Sequence, residues 1–458
     1  AGFNNIKDKK NVLIYGAGSA GRQLAIALTQ SDEYSPVAFI DDFVEKKGQS
    51  INGLEIFHSE SLESLITKKN VSEVLLAVPN ISRSRRNEII DFISPFSVLV
   101  RSLPSVSELA QGKVQIEDLR TIDINDLLGR DPVIPNIDLM QVKNTGKCVL
   151  VSGAGGSIGS ELCRQILLLN PQKLILFDQS EYSLYLIEQE LSSLNINDIE
   201  IYPIIGSVLD RNRLKGIMKH FKVQTIYHAA AYKHVPLVEF NQSQGVLNNA
   251  IGTRTIAEEA IASKVETFVL ISTDKAVRPT NTMGATKRIA ELVIQALSQE
   301  TLSTNFSMVR FGNVLDSSGS VIPRFLKQIK NGGPVTVTHK EIVRYFMTIP
   351  EAVELVIQAG AMSNGGDLFV LDMGKPVKIN DLAEKMIQLS GLQVLNEKTP
   401  NGDIEIKYVG LRPGEKLYEE LLLGDNTKET ENPLILSASE KMIEWNQLEP
   451  MLNDLEEH

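Results

Sequence analysis

An α/β protein made of two tandem, doubly wound parallel sheets is the architecture this sequence predicts, and three observations predict it. A short β-rich apolar run, a glycine-rich turn and a helical pattern follow one another twice: Asn11-Val-Leu-Ile-Tyr15 precedes Gly16-Ala-Gly18-Ser-Ala-Gly21, and Cys148-Val-Leu-Val151 precedes Ser152-Gly153-Ala-Gly155-Gly156-Ser-Ile-Gly159. Further strand-like runs, Val37-Ala-Phe-Ile40, Val74-Leu-Leu-Ala-Val78, Lys173-Leu-Ile-Leu-Phe177, Thr225-Ile-Tyr227 and Phe268-Val-Leu-Ile271, alternate with helical stretches. That alternation is the signature of parallel strands joined by crossover helices. The length of 458 residues exceeds one ordinary core and suits two or three domains of roughly 150 residues each.

Composition excludes several classes of function. Charged residues at 22% and hydrophobic residues at 43% describe an ordinary globular chain. A formal net charge of -11 argues against a nucleic-acid surface, which needs a concentrated basic face. The two cysteines, Cys148 and Cys163, make neither a disulfide framework nor a zinc spacing, and a reducing compartment fits them. No metal site is expected. No apolar run approaches the ~20 residues of a membrane span, and Ala1 to Lys10 is polar and charged, unlike a signal peptide. The chain is expected to be soluble.

Each glycine-rich unit reads as Rossmann-like. The first domain is expected over 1–130, the second over 131–425, and a carboxy-terminal tail over 426–458. The joint falls between Asp126 and Asn144, where Gly129-Arg-Asp-Pro132 and Pro135-Asn136 supply turn residues and periodicity lapses. After Asn305 the pattern carries more Gly and Pro, and Arg412-Pro-Gly-Glu415 marks an irregular late loop. This suits a small carboxy-terminal lobe closing over a substrate.

Glycines in such loops let the backbone turn tightly and approach a pyrophosphate, which the free N–H groups at the start of the next helix stabilise. For the first loop a purely structural turn is as good a reading as a ligand site. The second loop, Gly153, Gly155, Gly156, Ser157, Ile158 and Gly159, is read as cofactor-binding, because Asp178 follows Gly159 by 19 residues at the end of a strand-like run. A carboxylate there accepts from both ribose hydroxyls and repels a 2′-phosphate, so NAD is expected rather than NADP. The spacing Gly153-x-x-Gly156-x-x-Gly159 is that of short-chain dehydrogenases.

Longer motifs follow: Val151-Ser-Gly-Ala-Gly-Gly-Ser-Ile-Gly-Ser-Glu161, His228-Ala-Ala-Ala-Tyr-Lys-His-Val-Pro-Leu237, Ser272-Thr-Asp-Lys-Ala-Val277, Arg310-Phe-Gly-Asn-Val314 with Ser317-Ser-Gly-Ser320, Arg344-Tyr-Phe-Met-Thr-Ile-Pro350 and Arg412-Pro-Gly-Glu-Lys416. Through them nearly the whole chain resembles the nucleotide-sugar 4,6-dehydratases of bacterial polysaccharide and protein-glycan biosynthesis, extended short-chain dehydrogenases acting on UDP-N-acetylglucosamine. The resemblance implies redox-neutral chemistry. Hydride leaves carbon 4 of the sugar for NAD, the ketone acidifies carbon 5, water departs from carbon 6, and the hydride returns to carbon 6.

Such a reaction needs a hydrogen-bonding group at the carbon 4 oxygen, a base at carbon 5 and an acid for the leaving hydroxyl. By resemblance Thr273 binds the carbon 4 oxygen, Asp274 protonates the leaving hydroxyl and Lys275 removes the carbon 5 proton, for which the lysine must act as a neutral amine. The bland alternative is a solvated turn after a strand. Short-chain dehydrogenases carry Tyr-x-x-x-Lys, but this chain has Met283-Gly-Ala-Thr-Lys287. Either the site is degraded, or the chain follows the larger members of the family, which the resemblance gives a Met here, whereas shorter, carbon 5-inverting relatives keep the Tyr. Lys287 would then bind the nicotinamide ribose.

The resemblance places Ala229, Ala230 and Ala231 against the dinucleotide and Asn249 in the scaffold, and Ser207 stands where many relatives have an acid near the adenine. Lys233 and His234 are candidates for the sugar pocket, although a single histidine is more often structural. Arg310, Arg344 and Arg412 are candidates for the diphosphate, since a guanidinium fork matches phosphate geometry. Asn313 and Glu415 are weaker candidates for uridine and ribose. Partners are thus a UDP-sugar and NAD, with a homo-oligomer expected. The front domain, with its own Asp41-Asp42 after a strand, resembles the accessory domain of this family, whose full-length members carry amino-terminal membrane helices at the cytoplasmic face of the bacterial inner membrane. The leading expectation is carbon 5-retaining dehydration; an inverting dehydratase, a 4-epimerase and a non-catalytic NAD-sensing module are the alternatives.

Overall fold

The computed structural model describes residues 9–104, 114–122, 126–127, 134–194, 197–315, 317, 319–422 and 427–457. The turn Gly129-Arg-Asp-Pro132, the first eight residues, Ser318 and the tail boundary at Asp425 lie outside the described residues.

The chain forms two compact units. In the first, β1 (Lys10–Tyr15), β2 (Tyr34–Asp41), β3 (Ser50–Ile51), β4 (Leu54–His58), β5 (Glu73–Leu76), β6 (Leu99–Ser102) and β7 (Arg120–Thr121) lie in the order β3-β4-β2-β1-β5-β6-β7. The pairs from β4 through β6 are parallel, and the outer pairs β3–β4 and β6–β7 are antiparallel. Successive residues of β1 explain the unbroken apolar run: Val12 and Ile14 enter one hydrophobic cluster, Leu13 and Tyr15 another. Helices cover both faces, so no position from Val12 to Tyr15 turns to water.

In the second unit, β8 (Cys148–Ser152), β9 (Lys173–Asp178), β10 (Glu200–Ile205), β11 (Thr225–His228), β12 (Thr267–Ile271) and β13 (Asn305–Arg310) run parallel in the order β10-β9-β8-β11-β12-β13. Asp367–Leu371 adds a further parallel strand, and Ile435–Ala438 and Thr427–Glu429 extend the edge antiparallel. The order reverses between β8 and β11. Ligands of open α/β sheets bind at such a reversal, beyond the carboxyl ends of the strands. The two tandem Rossmann-like sheets are those the sequence predicts.

The units are not contiguous in sequence. The first takes in 319–341 and 377–410 besides 1–131, and the second holds 132–318, 342–376 and 411–458. Segments that sequence reading left with the catalytic portion, among them the helices Val321–Lys330 and Ile379–Leu389, thus belong to the unit of the front sheet. Leu389 is buried in the cluster of Leu13 and Tyr15. Ser390 bridges Leu99, and Gly391, at φ +77°, lies so close that a Cβ would sit 3.0 Å from the Leu99 nitrogen. Lys385 pairs with Asp91 at 2.5 Å.

Candidate active site

The glycine loop after β8 is built from close backbone approaches. Gly153 has φ +70°, and a Cβ on it would stand 2.7 Å from the Ala230 nitrogen. A Cβ on Gly159 would fall 1.9 Å from the Gly153 carbonyl oxygen, and one on Gly155 2.4 Å from Ser183. Three glycines are therefore required by contact. Gly156 meets only the Gly153 oxygen at 3.3 Å, leaving its face open at the start of the helix Ser157–Leu168. Asp178 closes the loop: Oδ2 accepts from the Gly155 N–H at 2.9 Å and Oδ1 from the Ser180 N–H at 2.8 Å.

Two cavities adjoin this loop. The larger, about 530 Å³, is lined by Gly156, Ser157, Ile158, Gly159, Ala229, Ala231, Lys233 and His234, with Tyr232 and the helix Val235–Phe240 at its wall. The smaller, about 130 Å³, is lined by Gly153, Asp178, Ala230, Gly206 and Val208 among others. The alanine run therefore lines the same two adjoining cavities as the loop, and Asp178 lines the smaller of them. Ser207 lines neither cavity, and its hydroxyl accepts from the Leu209 N–H. Burial lowers the proton affinity of Lys233; burial and then the Lys233 charge do the same for His234.

The front loop copies this construction but closes it differently. A Cβ on Gly21 would fall 1.9 Å from the Gly16 oxygen, and Asp41 Oδ2 accepts from the Ala17 N–H at 2.9 Å. That same Oδ2 also takes the Lys46 ammonium at 2.8 Å, and Oδ1 takes the Phe43 N–H. The Asp41 side chain is 6% exposed, so it offers no open face to a ribose.

At the carboxyl end of β12, Thr273, Asp274 and Lys275 form one hydrogen-bonded group. The Thr273 hydroxyl and the Lys275 ammonium both donate to Asp274 Oδ1 at 2.9 Å, while Oδ2 is buried without a hydrogen-bond partner. Lys275 also donates to Asn313 Oδ1 at 3.1 Å. The trio lines neither cavity. Met283 is buried on the first turn of the helix Thr282–Glu300, which places a thioether where the class has a phenol. Lys287, one turn on, is buried and donates to the Ile271 carbonyl at 2.7 Å; burial pushes its ammonium down to about 8.

The late motif packs onto this group. The Gly414 carbonyl accepts from Thr280 Oγ1 and Asn281 Nδ2, and Lys416 donates to the Val277 carbonyl. Arg344 gives its guanidinium to the Val343, Lys416 and Leu417 carbonyls and to Glu415, so it clamps the loop. Glu415 also accepts from the Arg412 N–H, and Arg412 is exposed.

Arg310 is a correction. Its side chain is fully buried and paired with Glu291 at 2.6 Å and Glu440 at 2.6 Å, so it holds the core behind β13 and faces no phosphate. Asn313, expected beside uridine, is engaged by Lys275.

Sequence reasoning missed three residues. Tyr232 lines both cavities and is fixed by Asn249, which accepts from its N–H at 2.8 Å and donates to its carbonyl at 2.9 Å. His228 is buried between Ser152 and Thr253, and burial with the Lys287 charge pushes its imidazole down to about 3. Both stand inside the His228–Leu237 motif, so their position was legible although their role was not. Glu419, nearly buried beside Lys275, had no signal to separate it from its neighbour Glu420. Among the described residues no group of three or more His, Cys, Asp or Glu side chains converges as a metal site, and no helix is long and apolar enough to cross a membrane.

Against known proteins, the model of the polysaccharide biosynthesis protein family matches residues 149–440, and that of the PglD N-terminal domain matches 11–91. The chain is 47% identical over 424 residues to the capsular polysaccharide biosynthesis protein CapD of Staphylococcus aureus, spanning 92% of this chain and 70% of that protein. It is 32% identical over 308 residues to a UDP-N-acetylglucosamine 4,6-dehydratase (inverting) of Campylobacter jejuni, spanning 65% of this chain and 85% of that protein. Among solved structures, Pen from Bacillus thuringiensis is 35% identical with a TM-score of 0.57, over 66% of this chain and 90% of that one. On the matched residues and the crevice they build, the chain belongs to the polysaccharide biosynthesis protein family.

Proposed function

We propose that the chain is a nucleotide-sugar-modifying enzyme that removes water across carbons 5 and 6 of UDP-N-acetylglucosamine, giving UDP-2-acetamido-2,6-dideoxy-α-D-xylo-hexos-4-ulose with carbon 5 configuration retained. The observation that carries the reading is Asp274, whose Oδ1 is committed to Thr273 and Lys275 while its buried Oδ2 has no partner. A buried polar atom without a partner is costly, and at a functional site it marks the position a ligand atom completes.

Gly153, Gly156, Gly159 and Asp178 suit NAD: the contacts at Gly153 and Gly159 leave no room for a Cβ, and Asp178 lines the smaller cavity beside the loop, where its carboxylate would accept from a ribose. Bound there, NAD supplies a reversible hydride acceptor for carbon 4. The remaining work belongs to side chains. The Lys275 proton, already directed at Asp274 Oδ1, can pass to that carboxylate; one transfer leaves an amine able to take the carbon 5 proton and later return it, and a carboxylic acid able to protonate the departing carbon 6 hydroxyl, while the proton released from the carbon 4 hydroxyl restores the pair by way of the Thr273 hydroxyl, which donates to Asp274. Thr273 orients Asp274 and binds the carbon 4 oxygen. Of Arg310, Arg344 and Arg412, exposed Arg412 is the one available to a diphosphate, since Arg310 is buried on two carboxylates and Arg344 is spent on its loop. The retention of carbon 5 configuration rests on the resemblance alone, in which the larger family members carry a Met at the position of Met283 and the shorter, inverting relatives keep the Tyr.

The test is incubation with UDP-N-acetylglucosamine in deuterated water, read by proton NMR. The expected product has a carbon 6 methyl group, solvent deuterium at carbon 5 and unchanged carbon 5 configuration, and Lys275→Ala loses the carbon 5 exchange. An intact hydroxymethyl group with inverted carbon 4 makes the chain an epimerase, and an inverted carbon 5 overturns retention.

A further inference from the structure

A second carboxyl group stands beside the pair that the proposed reaction uses. Glu419 lies three residues beyond Lys416, its side chain 4% exposed. Oε1 stands 3.8 Å from the Lys275 ammonium and 3.9 Å from Arg344, while Oε2 is buried with no hydrogen-bond partner. Asp274 Oδ2 is the other buried oxygen without a partner in this group. Two carboxyls, each with one open oxygen, thus flank a single lysine whose remaining contact is the neutral Asn313.

We propose that Glu419 is a positioning residue of this site: its carboxyl holds the Lys275 amine toward Asp274 and Asn313 and shares the proton that moves between Lys275 and Asp274. The inference rests on the dehydratase reading for its kinetic consequence, though not for its geometry. The charged groups facing Glu419 are Asp274 and Lys275 beyond β12, Arg344 from Val343–Arg344, and Lys416 on its own segment. Arg344 is fixed by three carbonyls and cannot follow a proton. Lys275 is the mobile cation. Burial, opposed by the Lys275, Arg344 and Lys416 charges and reinforced by the Asp274 charge, raises the proton affinity of Glu419. When Lys275 gives its proton to Asp274, the Glu419 charge disfavours the neutral amine; a proton on Glu419 removes that penalty.

Glu419→Gln keeps the side chain's shape and abolishes its titration, and Glu419→Asp keeps the carboxyl on a shorter stem. With UDP-N-acetylglucosamine, Glu419→Gln is expected to lower kcat about tenfold with KM within about threefold. Because the anion beside the ammonium is gone, the acid limb of the kcat/KM profile moves to lower pH by about half a unit or more. Glu419→Asp restores the limb, and the urea midpoints of all three proteins agree. A Gln variant with unaltered kcat and an unmoved limb overturns the proposal. So does a loss of kcat with an unmoved limb and a lowered urea midpoint, which means a structural role. A substrate-free measurement separates this from the reading above: modification of Lys275 by trinitrobenzenesulfonate, followed by mass spectrometry of its peptide, should begin at lower pH in Glu419→Gln. If that shift occurs in a chain that leaves UDP-N-acetylglucosamine unchanged, the dehydratase reading falls and the role of Glu419 stands; if it does not occur, the role of Glu419 falls.

Discussion

Buried ionisable side chains divide into those that hold the molecule and those left with an open valence, and the division decides what each substitution does. Arg310 belongs to the first kind: its guanidinium is shared between Glu291 and Glu440, so Arg310→Ala leaves Arg288 to offset both buried carboxylates and is expected to cost ~3 kcal/mol, read as a lowered urea midpoint. His228 gives a pH dependence of known sign. Its imidazole is held near 3 by burial in the folded chain against about 6.5 ordinarily, so the unfolded chain binds more protons between those values. Stability present above about 6.5 is therefore lost progressively as pH falls toward 3. The urea midpoint is expected to be lower at about pH 5 than at about pH 7.5, and His228→Gln narrows that difference. Gly153→Ala forces a side chain onto φ +70° and into the Ala230 backbone; loss of NAD binding by titration calorimetry is the expected outcome.

At the level of elements, the glycine loops and the strands β8, β9, β11 and β12 were legible because each is a local requirement, whereas β10, half exposed, carries no unbroken apolar run and the trio after β12 was read from the resemblance. A backbone turn at positive φ calls for glycine, a strand covered on both faces reads as an unbroken apolar run, and an acid about 20 residues past the last glycine lands at the next strand's end. What was not legible depends on partners far along the chain. Arg310 read as a phosphate ligand because its fate is set by Glu291, 19 residues away, and Glu440, 130 residues away. Glu419 and Glu420 are adjacent and alike; only the packing of the 412–420 segment on Val277, Thr280 and Asn281 turns one toward Lys275. Gly414 is the tightest point of that packing, since a Cβ there would lie 2.5 Å from the Asn281 Cβ. Gly414→Ala is expected to lower kcat/KM with little change in the urea midpoint, because the displaced loop carries Arg412, Glu415 and Glu419 together.

For the whole molecule, the composition of the first unit matters most. The segment around Leu389 and Gly391 shares its core with the front sheet, so residues 377–410 fold as part of the first unit. Leu389→Ala is expected to cost ~2–5 kcal/mol, and hydrogen exchange should quicken in β1 and β6 as well as in Ile379–Leu389. A chain begun at Pro132 is expected to lose protection over 377–410, seen as rapid proteolysis there. The arrangement also orders events at the ribosome. The front strands emerge before residues near 389, with the entire β8–β13 sheet emerging in between, so the cluster of Leu13 and Tyr15 waits for Leu389 until that sheet has been made, a stage at which exposed apolar surface gives a nascent chain need of a chaperone.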